Sequence, residues 1–389
     1  MKKMYLLVIC VILMACSQDD TVREEVEAIG DYSLSGKFLA PNQIDPISNA
    51  NVTLFKAEQK QAETLTNSLG EFNFEELFEG SYSILLEKGH FSSRLNVDIE
   101  DGQINNSVDV GNIDIQEFPR IGVVTGSYDN IENILYDMGL VNPITNAPLF
   151  DIIEGNSAGR SSIKNKNPRG QQHNHFGKTA STNPYLTTNV DFTLEELLSN
   201  SGQLAEYDIL FFNCGLDTAN ADLNTNVYDF VNNGGILYAT DWAFPFIEQI
   251  NSISGNAYLT FTEPHRSGVS VSTEATILDA TLSNWLVDNF GVGANGTLTI
   301  DEFLGSWQVV DSHDETQVLP WLNGSVEYMD ANNNLVNTTK NLAFTYQIGE
   351  GGIFYSSFHT ENNEEGFSDV DRIMEYMVFE LSTLGQAQE

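Results

Sequence analysis

The chain has 389 residues and carries 17 Lys and Arg against 55 Asp and Glu, a formal net charge of −38. A field of that sign repels nucleic acid and anionic lipid, which excludes both as electrostatic partners. Hydrophobic residues make up 41% and aromatic residues 11%, enough for packed cores, so the acidity decorates a globular protein of two or three domains rather than a disordered chain.

In chain order, Lys2 and Lys3 lead an unbroken apolar run over residues 4–14. These 11 residues fall short of the about 20 that a membrane-spanning helix needs. Leu13-Met14-Ala15-Cys16 resembles the bacterial lipobox, which implies that residues 1–15 are a signal peptide and that Cys16 is acylated, as with palmitate, to become a lipid anchor. Ser17-Gln18-Asp19-Asp20 resembles the acidic signal that sends Bacteroidetes lipoproteins to the outer face of the outer membrane, so the expected location is that membrane, facing the exterior. Residues 16–30 are polar and read as an acidic tether. Cys10 leaves with the signal and Cys16 is the lipid site, so Cys214 is the one free thiol and no intramolecular disulfide is expected.

From Tyr32 the texture changes to short alternating runs at 32–39, 51–56, 71–74, 81–86, 93–99 and 108–113, separated by Gly and Asn/Asp turns. That pattern predicts a small antiparallel sandwich over residues 31–115. Thr66-Asn67-Ser68-Leu69-Gly70-Glu71-Phe72-Asn73-Phe74, followed by Gly80-Ser81-Tyr82-Ser83-Ile84, resembles the carboxypeptidase regulatory-like domain, a transthyretin-like sandwich. The resemblance implies a stalk or binding module without peptidase chemistry. Gly70 and Gly80 suit turns that need positive φ, and Phe72, Phe74 and Tyr82 face one core. His90 alone has no companion ligands.

Pro119 marks a seam, and residues 118–385 read as α/β. Wholly apolar strands are expected at 120–125, 207–213, 236–240 and 352–358, with helices at 131–138, 223–232 and 369–384 between or after them. Strands apolar on both faces and separated by helices imply a parallel sheet covered on both sides, hence a three-layer sandwich, with insertions at about 142–185 and 255–340. Asn295-Gly296 and Asn323-Gly324 read as turns around inserted β structure.

The segments VVTGSYDN, YDILFFNCG, VNNGGILYATDWA and GGIFYSSFHTE resemble the class I glutamine amidotransferase-like, ThuA-like fold, which is flavodoxin-like. In that family a strand runs into an elbow bearing a nucleophilic cysteine, and a later Phe-His-Pro-Glu supplies His and Glu. Phe358-His359-Thr360-Glu361 matches the second part with Thr for Pro, while Asp241 or its neighbour stands at the elbow in Ala239-Thr240-Asp241-Trp242-Ala243. Cys214 follows a different strand and reads either as a nucleophile or as a small apolar residue. Asp241 and His359 each follow a central strand, so the fold brings both to the carboxyl edge of the sheet, joined by Asn213, Ser127 and Glu361, for ligand binding, catalysis or structure. Trp242 and Phe244 offer a stacking surface for a sugar or belong to the core.

The insertion at 142–185 concentrates Arg160, Lys164, Lys166, Arg169 and Lys178, and carries His173 and His175, which could share a metal if the segment is extended, although no third ligand stands at recognisable spacing. No cofactor is implied. The missing elbow cysteine favours a non-catalytic surface lipoprotein that binds a ligand or partner, such as a surface glycan, a peptide or another envelope protein. The alternative is a hydrolase of extracellular glycan or peptide with His359 as general base and Asp241 as orienter. An acidic adhesion factor binding calcium lacks the spaced Asp/Asn loop that such sites use.

Overall fold

The computed structural model describes residues 30–102, 104–155, 183–218, 225–303, 305–358, 360, 367–381 and 383. Cys16, the basic cluster with His173 and His175, and the pair His359 and Glu361 lie outside them. Among the described residues no helix is long and apolar enough to cross a membrane.

The N-terminal domain comprises β1 (Tyr32–Leu39), β2 (Asn51–Lys56), β3 (Gln59–Leu65), β4 (Glu71–Leu77), β5 (Gly80–Lys88), β6 (Phe91–Ile99) and β7 (Ser107–Asp114). They form two sheets, β4-β1-β7 and β3-β2-β5-β6, facing each other as a sandwich. Alternate side chains point inward, and Leu34, Phe38, Val52, Leu54, Phe72, Phe74, Tyr82, Ile84 and Leu86 are buried between the sheets. Gly70 has φ +74, and a Cβ there would stand 2.5 Å from the Phe38 carbonyl oxygen, so the turn before β4 requires glycine. β3 has no counterpart among the expected strands. Its sequence QKQAETL lies mostly exposed at a sheet edge, without the apolar alternation that marks the other strands, and it forms through its antiparallel ladder to β2.

The second domain runs through β8 (Ile121–Val124), α1 (Ile131–Asp137), β9 (Asp151–Ile153), α2 (Leu194–Leu198), α3 (Ser201–Leu204), β10 (Ile209–Phe212), α4 (Thr225–Asn232), β11 (Ile236–Thr240) and α5 (Phe244–Ser254). It continues with β12 (Leu259–Phe261), β13 (Val271–Ile277), α6 (Ala280–Phe290), β14 (Thr297–Phe303), β15 (Val310–His313), β16 (Val318–Met329), β17 (Leu335–Ile348), β18 (Gly351–Ser356) and α7 (Asp369–Leu381). Nine of these strands make one sheet in the order β14-β13-β16-β17-β18-β11-β10-β8-β9. Its parallel half, β9-β8-β10-β11-β18, has the flavodoxin order, second-first-third-fourth-fifth along the chain.

Every residue of β8, β10, β11 and β18 is buried, because helices cover both faces. Val123, Phe211, Tyr238 and Phe354 face one apolar cluster with α1, α6 and α7. Val124, Phe212, Leu237 and Tyr355 face another with α2 to α5.

Two expectations are corrected here. The segment 142–185 is not wholly an insertion, since it contains β9, the second strand of the parallel core, which at three residues is too short to stand out from its polar flanks. Asn323-Gly324 is no turn but lies inside β16, where the register shifts and a Cβ on Gly324 would stand 3.0 Å from Thr273 Oγ1. The segment 255–340 meanwhile extends the same sheet with antiparallel strands.

The sandwich and the α/β domain share one buried apolar cluster. Trp285 of α6 donates its indole N–H to the Pro46 carbonyl at 2.8 Å, Phe91 and Phe379 meet edge to face at 5.1 Å, and Lys88 reaches Glu380 at 2.6 Å. Arg372 of α7 reaches across to Asp45 at 3.2 Å while also pairing with Glu375, and both carboxyl groups are buried.

Candidate functional site

The switch point of the parallel sheet lies between β8 and β10, where successive connections leave in opposite directions, and open α/β folds form their crevice beyond the carboxyl ends of such strands. Four chain segments leave the sheet here: Ser127 to Asn130 after β8, Asn213 and Cys214 after β10, Asp241 after β11, and Thr360 after β18.

Asp129, fully buried, ties its own segment to the other three. Its Oδ1 accepts the Thr360 backbone N–H at 2.7 Å and the Thr360 hydroxyl at 3.1 Å. Its Oδ2 accepts the Cys214 backbone N–H at 2.9 Å and the Thr240 hydroxyl. With four donors converging on two oxygens, the carboxylate is a clasp that fixes the edge. Beside it Asn213 donates its side-chain amide to Glu132 at 3.2 Å, both residues being fully buried, while Asn213 Oδ1 accepts no hydrogen bond among the described residues. Ser127 donates its hydroxyl to the Gly215 carbonyl at 3.2 Å, a bond that closes the loop rather than opening a nucleophile to substrate.

Asp241 occupies the elbow. It is the first residue after β11, its φ is +36, and its side chain is 2% exposed. A non-glycine residue at positive φ is held there against its preference, as elbows at functional strand ends are. Asp241 Oδ1 accepts the Gln308 backbone N–H at 2.7 Å, Oδ2 accepts the Cys214 thiol at 3.5 Å, and its carbonyl accepts the Tyr355 hydroxyl at 3.1 Å. Gln308 in turn accepts the Arg266 backbone N–H through Oε1 at 2.6 Å, so the elbow is bonded to the segment that follows β12.

Cys214 is 1% exposed. Burial, then the nearby Asp241 and Asp129 carboxylates, push its thiol well above the ordinary range, so it stays protonated and donates to Asp241 instead of acting as a thiolate. In the chain starting at Ser17, Cys214 is therefore expected to resist a thiol-specific disulfide reagent at pH 8 while folded and to react fully in denaturant; equal rates in both conditions would contradict that reading.

Among the described residues no three His, Cys, Asp or Glu side chains are grouped so as to hold a metal. The structure thus brings Ser127, Asn213, Cys214 and Asp241 to one edge and adds Asp129, Glu132, Thr240, Gln308 and Thr360, which the sequence reading did not single out. Asp129 had a legible signal, since like Asp241 it follows a wholly apolar strand. Gln308 had none, because a segment far along the chain delivers it.

These features define a two-domain protein: a small β-sandwich joined to a flavodoxin-ordered α/β domain whose carboxyl edge is closed by a buried carboxylate network. Residues 33–111 match the carboxypeptidase regulatory-like domain, and the N-terminal sandwich is such a domain. No curated protein matches the chain. Among solved structures, a ThuA-like protein from Parabacteroides merdae is similar over 70% of this chain and 92% of its own length, at 12% identity and a TM-score of 0.36. The 5-hydroxyisourate hydrolase of Klebsiella pneumoniae is similar over 23% of this chain and 95% of its own, at 17% identity and a TM-score of 0.19. The group B streptococcus pilus 2b backbone protein is similar over 22% of this chain, at 16% identity and a TM-score of 0.19, and the match spans 41% of that protein.

Proposed function

We propose that this chain is a lipid-anchored outer-membrane protein, facing the exterior, whose α/β domain binds a ligand or partner without turning it over. The observation that carries the reading is the elbow: Asp241 stands at φ +36 where amidotransferase-like domains present a nucleophilic cysteine, and both its carboxylate oxygens are engaged. A carboxylate that is 2% exposed and bonded through both oxygens to a backbone N–H and a thiol lacks the access to attack a substrate carbonyl. Cys214, the one thiol near it, is buried and protonated. Strand ends clasped by the Asp129 and Asp241 carboxylates suit a rigid binding edge.

The purified protein is expected to release no product above buffer from L-glutamine, p-nitrophenyl acetate or peptidoglycan fragments, and Asp241→Asn to leave that background unchanged. Steady hydrolysis that Asp241→Asn or His359→Ala abolishes would replace this reading with the hydrolase one. Anchoring has its own test: an alkyne palmitate analogue should label the wild-type chain, and Cys16→Ala should lose the label and leave the membrane fraction. A membrane-bound, labelled Cys16→Ala protein would remove the anchor from the proposal.

A further inference from the structure

Trp242 is the one tryptophan of four that is not buried, since Trp285, Trp307 and Trp321 lie in cores. It stands immediately after the elbow and is braced on three sides. The half-buried Tyr128 meets it edge to face at 5.3 Å, its indole N–H donates to the Ser306 carbonyl at 2.7 Å, and the Arg266 guanidinium lies over its ring at 4.3 Å. Three non-glycine residues at positive φ meet around this ring: Asp241 at +36, Arg266 at +57 and Ser306 at +71. Buried Gln308 holds two of them, through the Asp241 carboxylate and the Arg266 backbone N–H.

The charge of Arg266 is the unusual part. The chain has more than three acidic residues for each basic one, yet this exposed guanidinium makes no ion pair and no side-chain hydrogen bond among the described residues. The neighbouring carboxylates are engaged elsewhere, Glu248 and Glu263 with His265 and Asp241 with Gln308 and Cys214. A guanidinium stacked on an indole is fixed in plane, keeps its outward N–H fork, and matches a carboxylate side-on.

We propose that Arg266, Trp242 and Tyr128 form a recognition platform for a ring-bearing monocarboxylate, the guanidinium taking the carboxylate and the aromatic edges taking the ring. The inference rests on the non-catalytic binding reading and names its site and ligand chemistry. A monoanion is favoured over a dianion such as phosphate because one cation stands in a strongly negative field.

The test is a titration of the full-length protein followed by tryptophan emission, with glucuronate, glucose, acetate and inorganic phosphate as probes. Glucuronate should change the emission saturably, glucose should not, and acetate should compete weakly. Arg266→Asn keeps a residue that accepts positive φ and removes the fork, so it should weaken glucuronate about tenfold or more, while Arg266→Lys keeps the charge and falls between. Near-ultraviolet circular dichroism matching wild type shows that the variants are folded. The platform is overturned if glucuronate gives no response, if glucose matches it, if phosphate competes better, or if folded Arg266→Asn binds as wild type. No response with no hydrolysis sinks this site alone, whereas hydrolysis of glutamine or ester sinks the reading beneath it.

Discussion

Asp129→Ala should be the most damaging single substitution in the α/β domain, destabilising it by about 4 kcal/mol or more. It would leave the Thr360 N–H and hydroxyl, the Cys214 N–H and the Thr240 hydroxyl without their acceptor in a region closed to water. Buried donors without partners cost about 1 to 3 kcal/mol each, and not all can find a substitute. Asp129→Asn should be nearly as severe, roughly 3 kcal/mol, because its amide NH2 would face donors on one side. Against a total stability of about 5 to 15 kcal/mol, either change consumes a large share. Urea unfolding is the measurement: a midpoint shifted downward at unchanged slope is expected, and a loss below about 1 kcal/mol would show that the clasp is not what holds the edge.

The second large effect is a dependence on pH centred on α7. Burial first, with the Asp129 charge as a further contribution against hydrogen bonds from Ser368, lifts the Asp371 carboxyl from 3.8 to about 6. Glu375 is pushed well up by burial first and by the neighbouring Asp45, while Arg372 opposes the shift. Among the described residues Glu375 Oε1 and Asp371 Oδ1 have no hydrogen-bond partner, as fits carboxyl groups that hold a proton. Both groups bind protons more tightly folded than unfolded, so their contribution is full below the unfolded value and is lost as pH rises through the folded one. For Asp371 the window runs from pH 3.8 to about 6 and is worth about 3 kcal/mol, and Glu375 carries the decline to higher pH.

The melting temperature should therefore fall between pH 5 and pH 8, a range in which most exposed carboxylates have already ionised. The double variant Asp371→Asn, Glu375→Gln should melt higher than wild type at pH 8 and vary little across that range. A variant curve parallel to wild type would place the dependence elsewhere. Asn at 371 can still accept from the Ser368 backbone N–H, which Asp371 Oδ2 does at 2.8 Å to cap α7, so helix capping is retained.

Much of the fold was legible. β1, β2 and β11 begin and end at the expected residues, because apolar alternation or a wholly apolar run with glycine on its flank leaves little freedom in register. β structure was expected in the insertion where β14 lies, but β3, β9 and the joining of β13, β14, β16 and β17 to the central sheet as an antiparallel extension stayed hidden. β3 is polar at an edge, β9 has three residues, and the long strands pair with partners whose own apolar faces do not announce a shared sheet. At the site, Asp241, Asn213 and Cys214 were legible as residues that follow strands, and the elbow showed in ATDWA. Asp129 carried the same signal without showing that it is the hub, and Gln308 as the brace carried none.

The sequence by itself determined the composition of two domains, the sandwich pattern over residues 33–111, and the absence of cysteine at the elbow, since all three depend on local order and residue type. Only the tertiary structure decided that Asp129 is saturated by donors from three segments, that Cys214 is buried and protonated, and that Arg266 lies over Trp242 without an ion pair among the described residues. Hydrogen-bond satisfaction and thiol acidity depend on neighbours brought from far along the chain. A carboxylate and a thiol read the same in sequence whether they face solvent or one another; burial and the partners folding supplies decide which one is a reagent and which a clasp.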